Sequence, residues 1–179
     1  MRLTVTALAA MCPIAAFATD YLSVEQAQKV MFPDATGFQV QQLAFDDTGI
    51  KAMEKLSGLP ARSNHWQVQV AHKGEQVLGY LVVDNVVGKF ELISYAVALG
   101  SDGTVRQVEI LSYRESHGYE VRLPAWRKQF VGKGIQSPLR IGSDIANISG
   151  ATLSCTHLTD GIRRIVSLIK IARQSGQLS

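Results

Sequence analysis

The sequence FELISYAVALGSDGTVRQVEILSY, residues 90–113, carries the clearest structural signal in this chain. Two largely apolar runs, Phe90 to Leu99 and Val105 to Tyr113, flank the segment Gly100-Ser101-Asp102-Gly103. Strand-like runs on either side of a short Gly/Asp turn are typical of a β-hairpin. This stretch therefore predicts two antiparallel strands joined by a tight turn.

Further strands are predicted on the N-terminal side of this hairpin. Apolar residues alternate with Gln and Ala from Trp66 to Ala71, which indicates a half-buried strand. After the turn at residues 73–75, a strand from Val77 to Val83 and a connection from Asp84 to Gly88 are expected. A looser alternation from Phe38 to Phe45 adds one more strand. Strands joined by short turns favour an antiparallel sheet over βαβ units.

The helices are predicted from their end signals. Ser23 and Gln26 form a capping-box pattern that opens a helix running to about Phe32, before Pro33. The other expected elements are a helix from Asp47, its predicted N-cap, to Ser57, a short helix from Pro124 to Phe130 and a final short strand from Leu139 to Ile141.

A long C-terminal helix is predicted from about Leu153 to Gln174. Its apolar residues repeat at helical spacing, which gives one face suited to packing on a sheet. These residues are Leu158, Ile162, Ile165, Val166 and Ile169. The expected fold class is therefore α+β, an antiparallel sheet packed with a long C-terminal helix.

Length and composition indicate one globular domain. The chain has 179 residues, 46% of them hydrophobic, and a formal net charge of +3. Single domains commonly run to about 100–200 residues. With 18 basic against 15 acidic residues and no block of like charge, we expect no nucleic-acid partner.

The first eighteen residues are typical of a secretory signal peptide. Arg2 is followed by an uncharged apolar run that ends at Ala16-Phe17-Ala18. The run is shorter than the roughly 20 residues of a membrane-spanning helix, although an N-terminal anchor is the alternative. We therefore expect residues 1–18 to be removed, residues 19–179 to form a single domain, and the protein to be periplasmic or otherwise extracytoplasmic.

Cysteine and histidine usage argues against disulfides and metal sites. If Cys12 leaves with the signal peptide, Cys155 is the only thiol and no internal disulfide can form. No zinc or haem-attachment spacing occurs, so no metal is expected. Cys155 is expected to pack in the first turn of the last helix, with a reactive, low-pKa thiol as the alternative.

The segment Ile148-Ser149-Gly150-Ala151-Thr152-Leu153-Ser154 is the strongest candidate for a functional site. It is a turn of small residues that leads into the N-terminus of the long helix. Such a terminus offers unpaired N–H groups and a positive dipole end, which suit a phosphate. The simpler alternative is that its hydroxyl residues only cap the helix. The nearby sequon Asn147-Ile148-Ser149 is set aside because a glycan there would block the site.

Ser149-Gly150-Ala151-Thr152 at the head of a C-terminal helix resembles the flavinylation motif of the FMN-binding domain family. This family includes flavin subunits of sodium-pumping NADH:quinone reductases and Rnf-type complexes, and small extracytoplasmic electron-transfer proteins. The resemblance implies FMN joined through its phosphate to Thr152 by a magnesium-dependent flavin transferase. It also implies that the N-terminus of the long helix seats the flavin phosphate.

The resemblance continues upstream and covers about residues 66–173. The loop from Glu115 to Glu120 is similar to the family's Glu-Ser/Thr-x-Gly loop near the flavin ring, and residues 124–133 are similar to its aromatic Phe-x-Gly-Lys segment. The cofactor-binding residues that it implies are Thr152, Ser149, Gly150, Ala151, Leu153, Ser154, Glu115, Ser116, His117, Gly118, Tyr119, Trp126 and Lys133.

Each of the upstream residues also has a structural alternative. Trp126 or Tyr119 is a candidate to stack on the ring, but Trp126 also suits a core position. His117 is a candidate donor to the ring or a solvated loop residue, and Glu115 is a candidate to hold the loop or cap a backbone N–H. Lys133 is a candidate to stabilise the phosphate or an ordinary surface lysine.

One position departs from the family pattern. The family usually has Asp three residues before the motif Ser, where this chain has Ala146. Asp144 as a shifted substitute, weaker flavinylation and flavin bound without a covalent link are the alternatives. We expect a flavoprotein that relays electrons between a membrane reductase and an acceptor, peripheral to the membrane through that partner. We expect a redox carrier or subunit more than a stand-alone enzyme. A cofactor-free adaptor on the same fold is the alternative.

Overall fold

The computed structural model describes residues 19–115 and 118–178. The expected signal peptide, Cys12, Ser116 and His117 lie outside these ranges. Within them, no helix is both long and apolar enough to cross a bilayer.

The sheet contains six antiparallel strands in the order β1-β6-β5-β4-β3-β2. From β2 onward each strand pairs with the next one in the chain, and the short β1 is added at the edge beside β6. The strands are β1 (Thr19–Asp20), β2 (Gly37–Ala44), β3 (His65–Lys73), β4 (Gln76–Val87), β5 (Leu92–Gly100) and β6 (Val105–Tyr113).

Helices cover both faces of this sheet. One face carries the short helix near the N-terminus and the other carries two helices packed side by side. The helices are α1 (Val24–Met31), α2 (Asp47–Ser57), α3 (Pro124–Arg127) and α4 (Thr152–Gln174), with 3₁₀ turns at Tyr119–Arg122 and Lys128–Phe130. The α+β class with the C-terminal helix on an antiparallel sheet is confirmed.

The central strands are apolar on both faces because both faces are covered. Tyr95 and Val97 of β5 point into the larger core beneath α2 and α4, and Ala96 and Ala98 point toward α1. Buried two-sided strands show near-continuous hydrophobicity, as the hairpin at 90–113 does.

The predicted apolar stripe of α4 is confirmed, since all five of its residues are buried in the larger core. The backbone of the helix packs tightly against Tyr95 of β5 at Gly161. A Cβ at this position would collide with the hydroxyl of the buried Tyr95, so glycine is required for this approach.

Three local predictions are wrong. The expected connection from Asp84 to Gly88 belongs to β4, which runs to Val87. The cap of α2 is Asp46, whose carboxylate accepts from the Gly49 N–H at 2.8 Å, and not Asp47. Residues 139–141 form no strand, because only one isolated bridge joins Ile141 to Ile145.

Candidate functional site

A four-residue turn, residues 148–151, leads into the N-terminus of α4. The Ile148 carbonyl accepts from the Ala151 N–H at 3.0 Å, and Gly150 has a φ of 82°. A positive φ at the third residue of a turn favours glycine. No atom lies within 4 Å of where a Gly150 Cβ would stand, so the turn faces open space. The small residues of the motif therefore leave room beside the helix end.

The N-terminus of α4 has no side-chain cap. Its N-cap residue is Ala151, and the carbonyl of Ala151 accepts from the Cys155 N–H at 3.0 Å. The N–H groups at the first positions of a helix lack intrahelical partners. They carry the positive end of the helix dipole, which favours an anion.

A cleft of about 510 Å³ opens at this helix end. Its wall combines residues that precede β5, the carboxylate after β6 and the first turn of α4: Lys89, Phe90, Glu115, Gly150, Ala151, Thr152, Leu153 and Ser154. Clefts for small molecules and cofactors commonly measure about 300–1,000 Å³. The volume is therefore suitable for a nucleotide-sized ligand.

Two apolar side chains are exposed at the cleft. Phe90 is 74% exposed and Leu153 is 46% exposed. The Lys89 ammonium lies 4.9 Å from the centroid of the Phe90 ring. A cation and apolar surfaces thus stand beside the donor-rich helix end.

Glu115 fixes the wall of the cleft opposite α4. Its Oε1 accepts from the N–H groups of Phe90 at 2.6 Å and Glu91 at 3.0 Å. Burial raises the pKa of this carboxyl, but backbone N–H donors and the Lys89 charge outweigh it and lower the pKa below its ordinary value. The expected capping of backbone N–H groups by Glu115 is confirmed.

A second contact packs the loop after β6 onto the motif. Gly118 has a φ of 81°, and a Cβ there would lie 2.6 Å from the Ala151 Cβ and 2.8 Å from the Tyr113 hydroxyl oxygen. The loop that begins at Glu115 therefore touches the motif directly, as its place in the predicted site requires.

The second turn of α4 is also anchored. The Nδ1 of His157 lies 2.5 Å from the carbonyl oxygen of Val87, at the end of β4. Because a carbonyl only accepts, the imidazole carries its proton on Nδ1 in this contact. This bond holds the start of α4 beside the segment that leads to Lys89 and Phe90.

The three motif hydroxyls have different environments. Ser149 and Thr152 are exposed, and the Thr152 Oγ1 accepts from the Asn147 Nδ2 at 3.0 Å. Ser154 is buried and forms a hydrogen bond with the Tyr113 hydroxyl. Burial raises the pKa of Tyr113, and the bond to Ser154 partly offsets this effect. Of the hydroxyls at the helix end, Ser149 and Thr152 are the accessible ones.

Five of the predicted site residues that the structure describes do not line the cleft. Ser149 and Gly118 adjoin the motif, and the other three, Tyr119, Trp126 and Lys133, have other surroundings. Trp126 is buried, donates to the Ala146 carbonyl at 2.8 Å and packs edge-on against Phe130, which matches its core alternative. Lys133 pairs with Asp144 at 2.9 Å. Tyr119 is 54% exposed and does not line the cleft.

Asp144, the candidate substitute for the acidic residue that the motif usually has, is bound within its own loop. Its carboxylate accepts from the N–H groups of Leu139 and Arg140 and binds Lys133. Partial burial raises its pKa, but these donors outweigh burial and lower the pKa overall. The carboxylate is therefore engaged within its own loop.

The reactive-thiol alternative for Cys155 is wrong. Its side chain is fully buried, and burial raises the thiol pKa despite its place in the first turns of α4. A protonated, buried thiol is a poor nucleophile. Within residues 19–115 and 118–178, no group of three or more His, Cys, Asp or Glu could hold a metal ion.

Sequence reasoning missed Lys89, Phe90 and Asn147 as site residues. The sequence predicts Phe90 in a strand, whereas β5 begins at Leu92 and leaves Phe90 in the connection that lines the cleft. For Asn147 the sequence offers only a sequon. No local pattern marks these residues, because they reach the site through the pairing of β4 with β5 and through the turn before α4.

Comparisons with known proteins agree with this architecture. A subunit of the Na⁺-translocating NADH-quinone reductase from Parabacteroides distasonis has a similar fold, with a TM-score of 0.53 and 14% identity over 84% of this chain and 85% of that chain. NqrC of Shewanella oneidensis has a TM-score of 0.50 and 14% identity over 84% and 88%. A search of curated proteins found no match.

The family comparison covers the site itself. Residues 88–167 match the sequence model of the FMN-binding domain. This range contains the Lys89–Phe90 wall, the Glu115 loop and the turn into α4. Over residues 88–167 this chain is therefore similar to the FMN-binding domain.

Proposed function

We propose that this protein is an extracytoplasmic electron carrier that holds FMN at the N-terminus of α4, with a phosphoester bond to Thr152. The observation that carries the proposal is the exposed Thr152 hydroxyl at the first residue of an uncapped 23-residue helix, inside the cleft. The family match over residues 88–167 supports FMN as the ligand.

The helix end suits the linkage electrostatically. In forming the ester, the Thr152 oxygen loses its proton and attacks the flavin-bearing phosphorus of a flavin pyrophosphate donor, whose P–O–P bond breaks to release the second phosphate with its substituent. The resulting phosphodiester keeps one negative charge. Unpaired N–H groups and the helix dipole stabilise such an anion, commonly by about 0.3–1 kcal/mol for the dipole alone.

Asn147 supports the same hydroxyl. Its Nδ2 donates to the Thr152 Oγ1 at 3.0 Å, so it holds the side chain in one rotamer and leaves the hydroxyl proton free for another acceptor. This donor also stabilises negative charge that develops on the oxygen as the proton leaves.

The cleft wall suits the flavin ring. When bound, FMN would supply reversible one- or two-electron chemistry, which protein side chains lack. Phe90 and Leu153 offer apolar contact to a planar ring, and Lys89 places a positive charge beside it. These residues would orient the cofactor and cover part of it from water.

A carrier suits this cleft better than a substrate-specific enzyme. Among the residues that the structure describes, the titratable side chains lining the cleft are Lys89 and Glu115. Glu115 already accepts from two backbone N–H groups, so it is poorly placed to act as a general base. The described residues of the cleft wall therefore offer binding and electrostatic groups without an acid–base pair.

The expected signal peptide and the similarity of the fold to subunits of a membrane reductase support the proposed setting. In it, a flavin transferase matures the protein outside the cytoplasm, and a membrane-bound redox partner exchanges electrons with it. The second candidate is a cofactor-free adaptor, which Ala146 favours because the residue usually read at that position is missing.

Mass spectrometry of protein exported from a host with a flavin transferase tests the proposal. We expect a mass gain of FMN less one water and flavin fluorescence that stays with the denatured chain. Thr152→Ala should abolish both signals. Thr156→Ala, one turn further along α4, is the matched control and should keep them. Colourless protein of unmodified mass would support the adaptor and refute the carrier.

A further inference from the structure

A second cavity lies apart from the cleft at the N-terminus of α4, which is called the flavin cleft from here on. It measures about 360 Å³ and is bounded by the end of α2, the loop that follows Lys133 and the middle of α4. It shares no lining residue with the flavin cleft. Its polar wall contains Arg140, Arg163 and Ser143, and apolar side chains such as Leu56, Ile135 and Val166 complete it.

Arg163 is incompletely satisfied at this cavity. Its Nη2 pairs with Asp160 at 2.9 Å, and its buried Nε has no hydrogen-bond partner among the described residues. Burial lowers the pKa of the guanidinium, and repulsion from Arg140 and Arg164 lowers it further, against the attraction of Asp160. A guanidinium carries five N–H donors, and the buried Nε is closed to solvent, so the donors that this arginine can offer to a ligand are those of its terminal nitrogens beyond the bond to Asp160.

Arg140 and Ser143 add donors from the opposite wall. In the described parts of the chain, the Arg140 guanidinium and the Ser143 hydroxyl have no hydrogen-bond partner. Arg164, the other nearby cation, instead donates its Nε to the Pro60 carbonyl at 3.0 Å. The cavity wall is thus rich in donors, with Asp160 as the carboxylate paired to Arg163.

The loop is held in an unfavourable conformation where it meets the cavity. Leu139 has a φ of 46°, the only positive value at a non-glycine residue in the described chain, and its side chain is buried. The Asp144 carboxylate fixes this conformation through the N–H groups of Leu139 and Arg140. Backbone strain of this kind concentrates at ligand-binding sites. Here it sets the direction of the chain immediately before Arg140.

We propose that this cavity binds a small organic phosphate. Two guanidinium groups and a hydroxyl on different sides suit a tetrahedral anion with three acceptor oxygens, whereas a carboxylate is satisfied by one guanidinium fork. The volume exceeds what a bare phosphate fills, and the apolar wall suits a compact organic group attached to it. The site is independent of the proposed flavin linkage.

Amide NMR of the full chain, titrated with phenyl phosphate, tests this assignment. We expect saturable shifts at residues 134–143 and near Arg163, with weaker binding of inorganic phosphate and of benzoate. Arg140→Gln should weaken phenyl phosphate binding about tenfold, as loss of a charged hydrogen bond implies. Lys51→Gln, which removes a positive charge from α2 outside the cavity, should leave binding unchanged.

Several outcomes would overturn the proposal. These are an absence of saturable shifts in the wild-type protein, shifts confined to residues 150–154 at the flavin cleft, and equal weakening by Arg140→Gln and Lys51→Gln. Benzoate binding as tight as phenyl phosphate would refute the phosphate class. Because Arg140 is exposed, its variant should fold even if the part-buried Arg163 proves necessary for stability.

Discussion

The helices α2 and α4 pack side by side on one face of the sheet, yet their N-termini differ. Asp46 caps α2 with its own carboxylate, whereas α4 begins after Ala151 with no side-chain cap. The cap of α2 satisfies its N–H groups within the chain, so that end serves stability. At the uncapped N-terminus of α4, the first backbone N–H groups remain available to a ligand. The proposed site therefore lies at the helix end where the fold omits a side-chain cap.

The largest expected effect is a loss of unfolding free energy at Gly118, which packs against Ala151 at the N-terminus of α4. Gly118→Ala should destabilise the protein by roughly 2–4 kcal/mol, because the new methyl group meets Ala151 and Tyr113 at a positive φ. Gly58→Ala, at the C-terminal end of α2, is the matched control. It has a φ of 66° and nothing within 4 Å, so about 1 kcal/mol is expected. Urea denaturation measures both, and equal losses would contradict the packing role of Gly118.

Substitutions at the two helix N-termini should separate the stability of the fold from flavin attachment. Asp46→Ala should cost about 1 kcal/mol of unfolding free energy and leave flavin attachment intact. Thr152→Ala should abolish attachment and change the stability of the flavin-free protein by less than about 0.5 kcal/mol. Denaturation curves and in-gel flavin fluorescence measure the two effects. A large stability loss in Thr152→Ala would mean that this hydroxyl serves the helix.

Asn147 should affect the rate of attachment without affecting stability. Asn147→Ala removes the donor to Thr152, and loss of one hydrogen bond of about 1 kcal/mol corresponds to a roughly fivefold slower rate. Timed mass spectrometry with purified flavin transferase gives this rate. Asn147→Asp keeps the shape but replaces the donor with an acceptor. If it reacts as fast as the wild type, the donor role is wrong.

The smallest effect is a pH dependence at Glu115. Its folded pKa lies below the ordinary value of 4.5, so the carboxylate stabilises the fold above that value. This contribution is lost as the pH falls through the folded pKa. Relative to Glu115→Gln, the wild type should therefore lose its advantage in thermal melts below about pH 4.5. Glu75→Gln controls for removal of one charge, and parallel pH profiles of the wild type and Glu115→Gln would refute this contribution.

The parts of the fold predicted from sequence depend on local signals. The hairpin around Gly100–Gly103, the capping box at Ser23 and the apolar stripe of α4 each have a signal within a short segment, and each is confirmed.

The end of β4 was missed because Asp84 and Asn85 are polar. Cross-strand partners satisfy both, since Tyr95 donates to Asp84 at 2.8 Å and Ser94 bonds to Asn85 at 2.5 Å.

The site was predictable where it is continuous in sequence. The motif at residues 149–154 lies at the helix end as expected, and the Glu115 loop lies against it. Trp126 and Lys133 lie elsewhere because their partners, the Ala146 carbonyl and Asp144, come from a loop without a periodic pattern. Cys155 was ambiguous because its chemistry depends on depth of burial, which one sequence does not reveal.

The contact between Gly161 and Tyr95 sets how closely the middle of α4 approaches the sheet. A helix of 23 residues is stiff, so lifting it at residue 161 would tilt or raise its whole length. Thr152 at the N-terminus of α4 and Arg163, two residues after Gly161, would then move together. Gly161→Ala should therefore change the shape of both the flavin cleft and the second cavity, lined by Arg140 and Arg163, although residue 161 lines neither.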